Sequence, residues 1–313
     1  MRISIIGPGC MSIPPSGWGA VESLIWDYYN ELTNLGHIVD IINTSDLNLI
    51  INQVNSFNPN FVHIQYDEYA KIAAQINCKK IAATNHYGYL TQFESHPEYH
   101  HILYNFIHNN FYIFCLSQDI KNVYLKLGVS EERLKIIPNG ANENIFKYLE
   151  QPLYPDKSIY LAKIDYRKRQ YLYQNIQSLY FAGNYHDERF HKNNKNYLGE
   201  WPKDFLYNNL TNYSNLVLLS DGEADPLVTK EALMSGLGLV ISEYATANLD
   251  LRLPFITVIP NSKLNDIEYV EKEIIKNREI CNNNRKDIRK YALENHTWNF
   301  LIKKYCNIIE SIL

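Results

Sequence analysis

Short apolar runs alternate along this chain with longer stretches whose apolar positions recur at helical spacing. The first run, Arg2-Ile-Ser-Ile-Ile6, breaks into Gly7-Pro-Gly9, and after Pro14-Pro-Ser-Gly-Trp-Gly-Ala-Val-Glu22 the period becomes helical from Ser23 to Leu35. Gly36-His37 ends that helix and Ile38-Val-Asp-Ile-Ile42 is the next strand, a strand–loop–helix–strand opening. Phe61–Gln65, Lys80–Thr84 and Tyr112–Leu116 read as buried strands, and Ile136–Gly140 closes the first series. A second series runs through Ser158–Lys163, Ser178–Gly183, Lys195–Gly199, Leu216–Ser220, Leu239–Ser242 and Phe255–Ile259. Alternation of this kind predicts an α/β chain with two doubly wound parallel sheets, each covered by helices on its faces. Helices over about 264–283 and 297–313 finish it. Asn142, Glu143, Pro152, Tyr154 and Pro155 interrupt the periodicity, placing the boundary near 141–157 and the domains at 1–150 and 151–296, with 297–313 as a last helix.

Composition agrees and removes several function classes. The 313 residues and 36.6 kDa suit two units of about 150 residues, each able to bury its own core. A net charge of −4 and a pI near 6.2 leave no basic footprint for nucleic acid. No apolar run reaches the length of a membrane span, and the start lacks the order of a signal peptide. The expectation is a cytoplasmic protein without a transmembrane segment, peripheral membrane contact being left open. Cys10, Cys78, Cys115, Cys281 and Cys306 are odd in number and without metal-type spacing, which fits reduced thiols.

Ser220-Asp-Gly-Glu-Ala-Asp-Pro-Leu-Val-Thr-Lys-Glu-Ala-Leu-Met-Ser-Gly236 carries the most chemistry. An acidic turn runs into a helical repeat: Pro226 suits the first helical turn, and Leu227, Ala232 and Leu233 supply the apolar face. Glu223 then stands on the loop and Glu231, eight positions on, about one turn inside the helix. Free N–H groups and the positive dipole end between them suit a diphosphate, and a carboxylate can accept from a pair of sugar hydroxyls. A solvated acidic helix is the plainer reading of the same spacing. The continuation Ala232–Ser242 reads as helix, glycine cap and short buried strand.

This window resembles the E-x7-E motif of the retaining glycosyltransferases with the GT-B fold, the superfamily of glycogen synthase, sucrose synthase and the phosphatidylinositol mannosyltransferases. Gly17-Trp-Gly-Ala-Val-Glu22 resembles the glycine-rich acceptor-side loop of that family, with Ala20 where its second glycine is usual. The resemblance implies two Rossmann-like domains facing a central cleft. The first would be the acceptor side and the second would bind the nucleotide sugar, with the last helix crossing back to the first. It assigns Glu231 to ribose hydroxyls and Glu223 to the donor hexose. Gly17, Trp18, Gly19, Pro226, Leu227 and Val228 would also line the donor, while Glu22, Tyr87 and Asp119 would stand on the acceptor side. Ser117, at the start of Asp119's loop, reads as a helix N-cap.

Lys163 and Lys168, in Leu161-Ala-Lys-Ile-Asp-Tyr-Arg-Lys-Arg169, follow a strand and match the family's leaving-diphosphate cations; a solvated basic loop is the plainer reading. His86 follows another strand and matches the histidine that contacts the donor sugar, against the plainer reading of a surface or satisfied core histidine. The implied activity is transfer of a sugar, with retention, from a nucleoside diphosphate sugar to a saccharide, lipid-linked or protein acceptor. It needs neither cofactor nor metal, and His86, Lys163, Lys168 and Glu223 are its catalytic set. The chain departs from the family with Lys163 for an arginine, Arg169 and Pro226 for glycines, and Asp225 for an aromatic residue. Its length is also short for the family.

Other readings remain. Asp221–Asp225 could be a metal-binding acidic motif, though it precedes a helix able to neutralise a diphosphate unaided. Gly7 and Gly9 open a G-x-G-x-x-G match whose third glycine falls on Ser12, and Pro14 and Pro15 delay the helix, which disfavours a dinucleotide-binding dehydrogenase. A non-catalytic sugar-nucleotide binder, a nucleotide-sugar epimerase and a DNA-modifying glucosyltransferase share the fold. The retained Glu223, Glu231 and Lys168 argue against the first, and the acidic balance against the last.

Overall fold

The computed structural model describes residues 1–312. Contacts divide the chain into two compact units. One comprises Met1–Pro15, Gly19–Asn139 and the segment beginning at Trp298; the other comprises Ser16–Trp18 and Gly140–Thr297.

The first unit contains β1 (Arg2–Ile6), α1 (Ala20–Asn34), β2 (Ile38–Ile42), α2 (Leu47–Phe57), β3 (Phe61–Ile64), β4 (Ile81–Thr84), α3 (His100–His108), β5 (Tyr112–Cys115), α4 (Gln118–Lys126) and β6 (Leu134–Ile136). Its six-stranded sheet has the order β2-β1-β3-β4-β5-β6, with every pair parallel. β3 and β4 are buried at every position, because helices cover both faces of a parallel sheet. α1 buries Leu24, Ile25, Tyr28 and Leu32, the apolar stripe that a 3.6-residue period produces.

The second unit contains β7 (Tyr154–Leu161), α5 (Gln170–Tyr173), β8 (Leu179–Ala182), α6 (Lys203–Asn209), β9 (Tyr213–Leu218), α7 (Leu227–Met234), β10 (Gly238–Ser242), β11 (Ile256–Ile259) and α8 (Ile267–Asn295). Its parallel sheet has the order β11-β10-β9-β7-β8. The last helix, α9 (Trp298–Ile312), packs on α1 in the first unit, where Tyr28 meets Trp298 and Tyr305 at ring centroid distances of 5.0 and 4.9 Å.

Three features differ from the sequence reading. Lys195–Gly199 is not a strand; it meets β8 through one bridge, Phe181 to Tyr197. Asn196 there spends its side-chain amide on the carbonyls of Gln177 and Leu179, at 3.0 and 3.1 Å, and Gly199 has φ +75°. The helix expected to end at 283 continues to Asn295 through a break at Asn284. Arg285 holds it, donating to the carbonyls of Leu149, Tyr213, Thr211 and Ser235 from a site only 2% exposed. Residues 140–150 group with the second unit, since Lys147 N donates to Tyr207 O and Leu149 N to Thr211 Oγ1.

α7 is tied down by charge as well as by its apolar face. Lys230 and Asp225, both side chains fully buried, form an ion pair, and Lys230 Nζ also lies 3.3 Å from Ala247 O. Neither position could be filled by one charge alone without a large desolvation cost. Lys230→Leu is expected to lower stability by about 3–5 kcal/mol by taking the cation from the buried Asp225 carboxylate, while Asp225→Leu combined with Lys230→Leu recovers most of that loss. Urea unfolding of all four members of the cycle checks this; a single variant as stable as the double would contradict it.

Candidate functional site

In the second sheet, β7 is followed by β8 on one side and, across the reversal of winding, lies beside β9 on the other. Open α/β sheets bind ligands outside the carboxyl ends of strands at such a point. Two loops meet there. The loop after β7 carries Asp165, whose Oδ1 accepts from Lys168 N at 3.0 Å and caps a 3₁₀ turn, Tyr166–Lys168. Arg169 follows in the left-handed region with φ +59°, which accounts for the glycine usual there. The loop after β9 carries Ser220–Pro226. Tyr160 joins the two from below: its hydroxyl donates to Lys168 O at 2.5 Å and accepts from Leu219 N at 2.8 Å.

Glu223 and Lys168 form a hydrogen-bonded ion pair, their side chains 8% and 10% exposed. Arg167 Nη1 stands 3.5 Å from Glu223 Oε2 and donates to Gly222 O at 2.7 Å. Burial alone would raise the Glu223 carboxyl, but the charges of Lys168 and Arg167 outweigh it and hold the group below its ordinary value. Burial draws the Lys168 ammonium down from its ordinary value, against the pull of Glu223. Arg167 escaped sequence reasoning; its only signal was its place between Tyr166 and Lys168 in the basic turn.

The two motif acids behave differently. Pro226 is the N-cap of α7, one residue ahead of the first helical turn expected, and no side chain caps the helix there. Leu227 and Val228 open the helix with their N–H groups at its positive end. Glu231 is the fifth residue of α7, half-buried, and burial lifts its carboxyl above the ordinary value against the opposing charge of Lys203. Asp225, within the acidic stretch considered for a metal, is turned inward to Lys230. No group of three or more metal-ligating side chains occurs among the described residues.

Lys163 is half-buried and its Nζ lies 5.8 Å from the centre of the Trp18 ring. Trp18 is 50% exposed and its N–H reaches Glu200 Oε1 at 3.4 Å; a Cβ on Gly17 would meet the same oxygen at 2.7 Å. These residues belong to the second unit with Lys168 and Glu223.

In the first unit, Gly19 takes φ +128° as the N-cap of α1, where a side chain would be strained. Ala20 is therefore a helical residue and needs no glycine. Glu22, in the first turn of α1, is 5% exposed. His86 follows β4: its N–H donates to Asp67 Oδ1 at 2.9 Å and its Nε2 lies 2.8 Å from Gln65 Oε1. Burial pushes the imidazole down to about 4, so it is neutral at pH 7. Tyr87 stacks on Tyr99 at 3.6 Å and donates to Glu98. Asp119 is exposed in the first turn of α4, where a carboxylate favours the helix dipole, and Ser117 caps that helix through Ile120 N.

No family model and no curated protein matches the sequence. Solved structures do match in shape. A sucrose-phosphate synthase from Thermosynechococcus elongatus superposes with a TM-score of 0.79 at 14% identity, covering 100% of this chain and 99% of that one. HepE from Anabaena, solved with UDP-glucose, gives 0.75 at 10% identity over 99% and 100%. WaaG, a glycosyltransferase involved in lipopolysaccharide biosynthesis, gives 0.70 at 12% identity over 98% and 99%. Two parallel sheets of six and five strands, flanked by helices and matched over the whole chain, give this protein the GT-B architecture of those enzymes.

Proposed function

We propose that this chain is a glycosyltransferase taking a sugar from a nucleoside diphosphate sugar, with retention at the anomeric carbon and without a metal ion. The observation that carries the reading is the meeting of Lys168, Arg167 and Glu223 at the β7/β9 reversal, just ahead of the uncapped start of α7. The shared fold with enzymes such as HepE, solved with UDP-glucose, supports it. In this reading the N–H groups of Leu227 and Val228 take the diphosphate together with Lys168 and Lys163. Cations and dipoles already in place would stabilise charge developing on the leaving group with little reorganisation, and no carboxylate nucleophile is required. Glu231 accepts from the ribose hydroxyls and Glu223 from the hexose, while the first unit supplies His86 as a neutral partner for a sugar hydroxyl and Glu22, Tyr87 and Asp119 serve the acceptor. The acceptor itself is a saccharide, a lipid-linked sugar or a protein, and the setting is cytoplasmic.

The two glutamates separate under this reading. Glu231→Ala is expected to weaken binding of UDP and UDP-glucose alike, by about tenfold for a lost pair of hydrogen bonds to a charged group, whereas Glu223→Ala acts mainly on UDP-glucose. Calorimetry with both ligands decides; unchanged affinity in both variants removes the assignment. Transfer is also expected to persist in EDTA. Abolition by the chelator with rescue by Mg²⁺ or Mn²⁺ would contradict the role given to Lys168 and α7.

A further inference from the structure

At the carboxyl ends of β3 and β4, a buried line of hydrogen bonds leads to His86. His63 Nε2 lies 2.7 Å from Thr84 Oγ1, and His63 Nδ1 lies 3.0 Å from the Tyr305 hydroxyl and 3.3 Å from Gln65 Nε2. Gln65 Oε1 lies 2.8 Å from His86 Nε2. His63 is 0% and Gln65 1% exposed, so a partner lost from this line is not readily replaced.

The amide of Gln65 gives the line a direction. Its nitrogen only donates and its oxygen only accepts. With the nitrogen on His63, Nδ1 of that ring accepts, its one lone pair shared between the Gln65 amide and the Tyr305 hydroxyl, and the ring's own proton sits on Nε2 toward Thr84. With the oxygen on His86, that ring donates from Nε2, and its Nδ1 keeps a lone pair. We propose that Gln65, oriented by His63, is a positioning residue that holds the proton of His86 on Nε2 and so presents Nδ1 as a hydrogen-bond acceptor for a sugar hydroxyl. The identity of that hydroxyl rests on the glycosyl-transfer reading above; the tautomer does not.

Two further observations support it. The Asp67 carboxylate fixes the His86 backbone through its N–H, and is itself bound by the Tyr99 hydroxyl at 2.5 Å, so the ring is anchored from both ends. Burial holds both imidazoles neutral, His63 pushed down to about 3 and His86 to about 4. A neutral ring with one fixed proton can receive a hydroxyl proton without competing charge.

Long-range ¹H–¹⁵N correlation spectra of the full chain at pH 7, with His86 assigned by its loss in His86→Gln, test the tautomer without any turnover. The expected result is one neutral form protonated on Nε2. A proton on Nδ1, or a charged ring, overturns the proposal. In Gln65→Leu the Nδ1-protonated form is expected to appear, and kcat with UDP-glucose to fall about tenfold to hundredfold while the Kd for UDP stays within twofold. An unchanged spectrum in that variant also overturns the positioning role, and a shifted tautomer with wild-type turnover overturns the role toward the sugar. Should Gln65→Leu not fold, His63→Phe, which suits the ring cluster of Phe61, Phe114 and Tyr305, frees the Gln65 amide to turn and gives the same readout. The expected tautomer in a wild-type protein that transfers no sugar counts against glycosyl transfer and leaves the positioning pair standing.

Discussion

A carboxylate stays ionised in a protein interior only where charges or hydrogen bonds offset its lost hydration, and at the edge of the second sheet cations meet that requirement. Glu223 is nearly buried, and Lys168 and Arg167 approach it from the loop after the neighbouring strand. Arg167 also binds Gly222 O, and Asp221 N returns a bond to Arg167 O at 3.0 Å, so backbone and side chains bind the two loops together. Removing Glu223 would leave the nearly buried Lys168 ammonium without its carboxylate, at a cost of several kcal/mol. α7 begins four residues beyond Glu223, with Pro226 as its N-cap and no side chain capping its first N–H groups.

The first unit solves a different problem with neutral groups. Its polar line from Tyr305 to His86 carries no formal charge at pH 7, yet every link is a donor facing an acceptor. Neutral lines of this kind avoid the desolvation of ions and fix direction instead, since each proton's place depends on the next. One unit thus holds paired charges in its interior, and the other holds a neutral, directed line.

Much of this was legible in the chain because parallel strands buried on both faces announce themselves as apolar runs, as Phe61–Ile64 and Leu239–Ser242 do. The site loops were legible because they follow such runs. What escaped depends on long-range pairing. Lys195–Gly199 bonds along β8 and just past its end through Asn196 O, Leu198 N and Gly199 O, but the Asn196 side chain takes Leu179 O at the start of β8 and the pairing stays too short for a strand. The Asn282–Asn284 tract reads as a helix stop, yet Arg285 beyond it is bonded too deeply to release the chain. Asp225 could be counted within an acidic stretch open to a metal, the weaker reading, because Lys230, five residues on, gives no sign in the sequence of turning inward with it. Arg167 was hidden in a basic run where side-chain direction, unreadable from order alone, separates it from its neighbours.

Tyr160 leaves one consequence. One tie between the basic turn and the acidic loop is a phenol rooted in the core, which bonds to main-chain atoms of both. Exchanges such as Lys163 for arginine, or Arg169 for glycine, alter what the loops present and leave this main-chain tie its partners, Lys168 O and Leu219 N. Part of the loops' spacing is thereby inherited from the interior and does not depend on which side chains they carry.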